Sequence, residues 1–353
     1  MTENATTQSD IMQNDNAQVE TDMWLYHPVQ IGSLVVDGNI FLAPVAGYSN
    51  APFRSVCAKM GADFAYTELV SSEALIRASR KTNELLRKGR AEKKYAIQLF
   101  GGVPEHMAEA CRIVLNEYHC DCIDINAGCP MPKITKSGGG SILMKNPAAL
   151  YQVVKAVADV CMQQCIPVTV KMRSGWDSEH LNWKTCTQVC IDAGAKAVTL
   201  HPRTSAQRYS GKANWDFIAE TVALFGKEIP IFASGDLFSP EDAARCLKTT
   251  GCAAIMFARG ALGNPFIFQQ TKQLLLTGTY QHEIDIQEKL ALVFDELYEA
   301  AEHLGETRTC LEMRKKFAAA TKGVQNGATV RAKLVQCSSI HEYQAVLENI
   351  LSR

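Results

Sequence analysis

Eight short runs of apolar and β-branched residues recur along this 353-residue chain, each followed by a segment with helical periodicity. The runs are 40–44, 64–68, 95–100, 122–126, 168–172, 197–201, 229–234 and 253–258. Amphipathic segments such as 105–118, 147–164, 182–193 and 240–250 lie between them. Strands that alternate with helices must pair in parallel, because each helix carries the chain back to the start of the next strand. Eight such units in little more than ~200 residues match a closed (β/α)8 barrel, which typically takes ~250 residues. An open doubly wound sheet is the rival. Eight strands exceed its usual number, and no GxGxxG follows the first run. The fold expected is α/β, a (β/α)8 TIM barrel over 23–278.

The flanks differ. Beyond Gly278 the apolar residues keep a helical spacing (Ile286, Leu290, Val293, Leu297, then Leu311 and Phe317, then Val346 and Ile350) with no strand run. This predicts a small C-terminal helical-bundle domain of three or four helices over 279–353. Residues 1–22 carry five acids, no base and no aromatic residue, and read as a disordered tail. The whole chain has a net charge of −1, which excludes a general basic coat. Two local clusters stand out: 77–94 with eight bases and two acids, and 308–333 with seven bases and one acid. They suggest an anionic macromolecular partner, with Arg314, Lys315 and Lys316 at the centre of the second. No run approaches the ~20 apolar residues of a membrane span, and the first residues lack a secretory pattern. The thirteen cysteines sit mostly inside apolar runs, and neither Cys120-x-Cys122 nor Cys161-x3-Cys165 has a second half at zinc-site spacing. Reduced thiols, a cytoplasmic location and no metal are expected.

In such a barrel the active site forms where the strands end. Those ends carry Pro44-Val45-Ala46, Glu68, Gln98, Asn126 with Cys129, Lys171 with Arg173, His201 with Arg203, Ser234-Gly235-Asp236 and Ala258-Arg259-Gly260. Gly235 and Gly260 let backbone N–H groups approach an anion and Arg259 adds a forked cation, so the last two ends read as a phosphate site. Lys171 and His201 point centrally, where cations stabilise an electron-rich ring, although Lys171 could instead pair with Glu68. Gln98 offers a donor and an acceptor to a heterocycle edge. Cys129 lies between Gly128 and Pro130, a turn that holds the thiol over the mouth. With an ordinary pKa of ~8.5 it stays protonated and can give a proton. The three glycines at 138–140 suit a mobile lid or a plain flexible loop.

The order of the motifs carries a resemblance. The strings are 43–49 (APVAGYS), Pro52-Phe53-Arg54, Gln98-Leu99-Phe100-Gly101, Asp124-Ile125-Asn126-x-Gly128-Cys129-Pro130, Lys171-Met172-Arg173-Ser174-Gly175-Trp176, His201-Pro202-Arg203-Thr204, Ser234-Gly235-Asp236 and Arg259-Gly260-Ala261-x-Gly263-Asn264-Pro265. Together they resemble the tRNA-dihydrouridine synthases, most of all the bacterial B-type branch, over residues 25–353.

That resemblance implies an FMN enzyme that reduces uridines of tRNA to 5,6-dihydrouridine with NADPH, a monomer with no membrane or metal partner. It implies that Pro44, Val45 and Ala46 line the flavin and that Gln98 and Lys171 contact its ring. Ser234, Gly235, Asp236, Ala258 and Arg259 would hold the ribityl phosphate. Cys129 would protonate uracil C5. Asn126 and Arg173 would contact uracil, His201 and Arg203 would line the site, and the basic run would grip tRNA. Three positions depart from the family pattern: Val45 for the usual Met, Ser234 for Asn and Ala258 for Gly. Two rivals are a flavin barrel acting on a free pyrimidine and a non-catalytic RNA-binding barrel. The basic helical region argues against the first, and the set Cys129, Lys171, His201 and Arg259 against the second.

Overall fold

The computed structural model describes residues 25–321, 324 and 326–351. The tail expected at 1–22 and Lys322 of the basic run lie outside them. An antiparallel hairpin, β1 (Val29–Ile31) and β2 (Leu34–Val36), comes first. The barrel strands follow: β3 (Ile40–Leu42), β4 (Phe64–Tyr66), then the two-residue β5 (Val70–Ser71), β6 (Tyr95–Phe100), β7 (Cys122–Ala127), β8 (Val168–Arg173), β9 (Ala197–His201), β10 (Ile231–Ser234) and β11 (Ala254–Phe257). β3 pairs in parallel with β4, β4 with β6, and each of β6 to β10 with the next; β5 pairs with β6 beside β4, and β11 returns to β3, which closes eight strands into a ring. The eight expected runs are these eight strands. The hairpin and β5 were not legible, because two or three residues are too few to show a period.

Side chains alternate along a strand, so one parity faces the barrel axis and the other the helices. The outward set includes Ile97, Ile123, Ile125, Val170, Leu200 and Ile255, packed in one core with the surrounding helices. The inward set starts apolar: Phe41, Phe64, Tyr66, Cys122, Phe232 and Met256 share a second cluster. Phe41 meets Phe64 and Phe232 edge to face, at 5.6 Å and 5.2 Å between ring centroids. Val29, Ile31 and Val36 of the hairpin join this cluster, so the hairpin plugs the base of the barrel. Continuing up the same parity gives Gln98, Asp124, Asn126, Lys171, Arg173, His201, Ser234 and Ala258. The polar top layer is therefore the continuation of the apolar axis, and the site is set by strand register.

Helices Ile286–Leu304, Glu306–Ala320, Gly327–Leu334 and Ile340–Leu351 build the C-terminal bundle. Their core holds Leu290, Leu297, Phe317, Tyr343 and Leu347, with Phe317 stacked on Tyr343 at 4.1 Å. The first of these helices packs against the helix Ala51–Lys59 of the barrel. The border is polar: Lys59 pairs with Asp295 at 2.8 Å, Arg87 donates to His303 at 2.6 Å, and Arg90 pairs with Glu302. Arg77 pairs with Glu73. Of the eight bases at 77–94, Arg87 and Arg90 thus help hold the bundle to the barrel. Among the described residues no helix is long and apolar enough to cross a membrane.

Candidate active site at the barrel mouth

A cavity of about 340 Å³ opens above the strand ends, within the ~300–1,000 Å³ usual for ligand sites. Pro44, Val45 and Ala46 line it after β3, Ser234, Gly235 and Asp236 after β10, and Ala258 and Arg259 after β11. Asn126, Cys129, Lys171, Arg173 and His201 line it from β7, β8 and β9. In a ring of eight, β7 lies four strands from β11. Cys129 therefore faces the Ala258–Arg259 end across the barrel.

The Cys129 turn is held from several sides. The Asn126 side-chain oxygen accepts the backbone N–H groups of Gly128 at 3.2 Å and Cys129 at 2.9 Å. Arg173 Nε donates to the Gly128 carbonyl at 2.9 Å, and Ser141 N–H to the Cys129 carbonyl at 3.0 Å. Gly140 has φ +66°, and a Cβ there would lie 2.6 Å from the Cys129 carbonyl oxygen. A Cβ on Gly102 would meet the Gly138 backbone at 2.5 Å. The glycine run is thus a backbone-on-backbone packing device that seats Cys129. Burial pushes the Cys129 thiol up; the Met131 N–H and the charges of Arg173 and Lys171 offset this only in part. The thiol keeps its proton at neutral pH.

Burial lowers Lys171 to about 8, with Arg173 acting in the same sense and Asp124 against it. The alternative pairing with Glu68 is not the one present: the Glu68 carboxylate accepts the Gly47 N–H. His201 is pushed well below the usual histidine range by burial and by Lys171, Arg173, Arg203 and Arg259. It is neutral, and its Nε2 accepts from Arg203 at 3.3 Å, which leaves the proton on Nδ1. Gly235 has φ +113°, and a Cβ on it would lie 2.7 Å from the His201 ring. Only glycine lets strand β10 end this close to the imidazole.

Asp236 is the anchor of the phosphate-side loops. Arg203 Nη2 donates to both of its oxygens at 2.7 Å, Ala213 N–H donates at 2.8 Å, and Arg259 approaches at 3.3 Å. Burial opposes its charge, but these donors hold the carboxyl below its ordinary range. Arg259 lies between the rings of Tyr209 and Phe238, at 4.9 Å and 5.0 Å.

Several expected site residues sit elsewhere. Arg203 is buried behind the cavity wall, and its guanidinium also donates to the Ser210 and Gly211 carbonyls, so it ties down the loop after β9. Arg173 lines the cavity but also bonds the Thr204 and Arg208 carbonyls of that loop at 2.8 Å. Gln98 is fully buried below the mouth, where its amide bonds Asp124 and Asn126. Gly260 packs against the Leu237 carbonyl, which a Cβ would meet at 2.4 Å. Arg314 donates to the Cys337 and Gln336 carbonyls at 2.9 and 3.1 Å, and Lys316 pairs with Glu296. Of that trio Lys315 is exposed, and with Lys289 it lines a cleft of about 440 Å³ between the Leu262–Phe266 loop and the bundle. Asp124 and the rim residues Met131, Tyr209 and Phe238 were not anticipated. Asp124 was findable: it shares the inward parity of Asn126 in an otherwise apolar strand. The rim residues lie in irregular loops, where no period marks them. Among the described residues no group of three His, Cys, Asp or Glu is arranged to hold a metal.

Comparison with known proteins agrees with this arrangement. The family model for dihydrouridine synthase matches residues 41–353. A Treponema pallidum protein described as "Probable tRNA-dihydrouridine synthase" is 50% identical over 92% of this chain and 96% of its own length. "tRNA-dihydrouridine synthase B" of Pseudomonas aeruginosa is 31% identical over 91% and 97%. Among solved structures, histamine dehydrogenase from Rhizobium sp. 4-9 shares the barrel with a TM-score of 0.53 at 12% identity, covering 78% of this chain. The chain spans about half (51%) of that structure, and the likeness is one of fold. With the match running through both barrel and bundle, the chain belongs to the dihydrouridine synthase family.

Proposed function

We propose that the chain is a tRNA-dihydrouridine synthase that holds FMN at the barrel mouth and draws its electrons from NADPH, working as a monomer in the cytoplasm. The observation that carries this reading is the Cys129 thiol, kept protonated by burial, at a barrel mouth with surplus positive charge. Lys171, Arg173, Arg203 and Arg259 meet there, and Asp236 offsets only part of their charge. Such a surplus fits an anionic phosphate and an electron-rich ring. Ser234, Gly235, Ala258 and Arg259 would hold the phosphate, with Asp236 orienting Arg259. Pro44, Val45 and Ala46 would line the ring, and Lys171 and His201 would serve its edge, with Gln98 supporting them from below. Val45, Ser234 and Ala258 all lie on the cavity wall; the first two are smaller than the usual Met and Asn and leave room there, whereas Ala258 adds a methyl where Gly is usual.

A flavin bound there supplies a hydride to uracil C6. The rest falls to the chain. Asn126 and Arg173 orient the flipped base, which must leave its stack to enter. The Cys129 thiol gives its proton to C5 as the C5–C6 double bond is lost, and the thiolate recovers a proton from solvent. Per uridine, one hydride and one proton are consumed and one NADPH becomes NADP⁺.

Arg259→Ala tests the phosphate site. A charge-assisted bond is worth ~1.5–3 kcal/mol, and the lower end applies because the Arg259 side chain is 40% exposed. Flavin affinity is expected to fall ~10-fold. The check is absorbance of protein-bound flavin after dialysis, and equal occupancy in mutant and wild type would place the phosphate elsewhere.

The barrel over 23–278 is read as the flavin domain and 279–353 as the tRNA-binding domain. Lys289 and Lys315 in the cleft are the phosphate contacts; Arg314 and Lys316 support the bundle. Lys289→Gln with Lys315→Gln is expected to weaken tRNA binding equally for different tRNAs, because phosphate contacts carry no sequence information. The salt slope should flatten by ~0.7–0.9 per lost contact. Affinity at two salt concentrations measures both, alongside an unchanged flavin content.

A further inference from the structure

A chain of hydrogen bonds runs through the barrel below the mouth and ends at the Cys129 turn. Thr169 Oγ1 donates to one Asp124 oxygen at 2.5 Å, and Gln98 Nε2 donates to the other at 2.6 Å. Asn126 Nδ2 donates to Gln98 Oε1 at 2.8 Å. Asn126 Oδ1 then accepts the N–H groups of Gly128 and Cys129. Asp124, Gln98 and Thr169 are fully buried, and Asn126 nearly so. Each amide could in principle sit the other way round, since its oxygen and nitrogen have the same shape. An acceptor at 124 settles the choice. It draws Gln98 Nε2 inward, which turns Oε1 toward Asn126. That in turn draws Asn126 Nδ2 inward and leaves Oδ1 facing the turn.

We propose that Asp124 is a positioning residue that fixes the Gln98 and Asn126 amides in one orientation and through them the place of the Cys129 thiol. With a donor or an apolar group at 124, Gln98 has no reason to keep its nitrogen inward. A reversed Asn126 would aim its own N–H groups at the backbone N–H of Cys129, and the turn would lose its cap. The proposal rests on Cys129 being the proton donor for its effect on rate, but its effect on the thiol's surroundings does not depend on that reading.

The direction of the chain depends on an acceptor at 124 and not on its charge. A protonated Asp124 would still offer its carbonyl oxygen to Gln98 and turn its hydroxyl to Thr169.

The test uses full-length protein with FMN in a Cys165→Ser background, since Cys165 is exposed. Asp124→Asn keeps an acceptor for Gln98 and gives Thr169 Oγ1 a donor instead, so the direction of the chain survives. Asp124→Leu removes the acceptor. Two readouts are taken: single-turnover reduction of uridine in tRNA, and the rate at which iodoacetamide alkylates Cys129, followed by mass spectrometry of its peptide. Misplacement by ~1 Å can cost ~10²-fold in rate. Asp124→Leu is expected to lose uridine reduction on that scale and to alkylate at Cys129 faster than wild type, while NADPH still reduces its flavin. Asp124→Asn is expected to keep most of the rate and wild-type alkylation at Cys129. Wild-type rate and wild-type alkylation in Asp124→Leu would overturn the proposal, and so would an Asp124→Asn protein as impaired as Asp124→Leu. Should Asp124→Leu fail to fold, Asp124→Val, which removes the acceptor with less bulk, takes its place. Normal turnover by Cys129→Ala would remove the acid reading, whereas the alkylation comparison would stand.

Discussion

Cys129→Ala is expected to abolish most uridine reduction while leaving flavin binding and its reduction by NADPH intact. General-acid assistance is typically worth ~10²–10⁴ in rate, and uracil offers no easy substitute, since hydride arrival at C6 builds enolate charge that only a proton relieves. The thiol suits the task because burial keeps it protonated at neutral pH. The Asn126 cap, Gly140 and Arg173 then hold it on the side of the mouth across from β11. Its removal should not disturb the phosphate-side loops, which follow β10 and β11 on the far side of the ring. Rapid mixing separates the two half-reactions: the NADPH phase should match wild type, and the tRNA phase should be slower by ~10²-fold or more. An unchanged tRNA phase would take Cys129 out of the mechanism.

The second large effect is on stability. Arg54 and Glu92 form a fully buried pair, with side chains 0% and 1% exposed and Nε to oxygen at 2.9 Å. Arg54 also donates to the Ser49 carbonyl at 2.8 Å and to the Arg87 carbonyl, while Glu92 accepts the Gly89 N–H at 2.5 Å. The pair thereby ties the loop after β3, which lines the mouth with Pro44, Val45 and Ala46, to the segment that docks the helical bundle. Removing one member leaves a charge in the interior without its partner, an effect of ~3–5 kcal/mol. Glu92→Ala is expected to lower the denaturation midpoint accordingly. Asp295→Ala breaks an ion pair whose side chains are 40% and 44% exposed, and such pairs are worth only ~0.2–1 kcal/mol. Equal midpoints for the two mutants would show that burial is not what makes the first pair matter.

The barrel was legible because its signal is local. Each strand shows its own alternation, and 95–100, 197–201 and the helix Pro240–Thr250 run between the residues the pattern marks. The polar strand ends were legible for the same reason. What each polar group does was not, because its partners come from distant parts of the chain. Arg203 reads as a substrate cation until Asp236, Ser210 and Gly211 are seen around it. Arg314 and Lys316 read as an RNA face until the carbonyls of Gln336 and Cys337 and the carboxylate of Glu296 claim them. Three consecutive glycines look mobile, and only the backbone of Gly102 and Cys129 pressed against them shows why no side chain is tolerated. Asp124 was passed over because a lone acid in an apolar strand has no visible purpose until Gln98 and Thr169 close on it.

The central claim is that this chain reduces uridine in tRNA at the mouth of its barrel with Cys129 as the acid. Purified full-length protein, FMN, NADPH and an unmodified tRNA transcript suffice to test it. Digestion of the tRNA to nucleosides and mass spectrometry then count dihydrouridine. The account predicts a mass gain of two hydrogens on uridine, one NADPH oxidised per dihydrouridine, and a yield near background with Cys129→Ala. A yellow, folded protein that consumes NADPH yet leaves every uridine unchanged would contradict it.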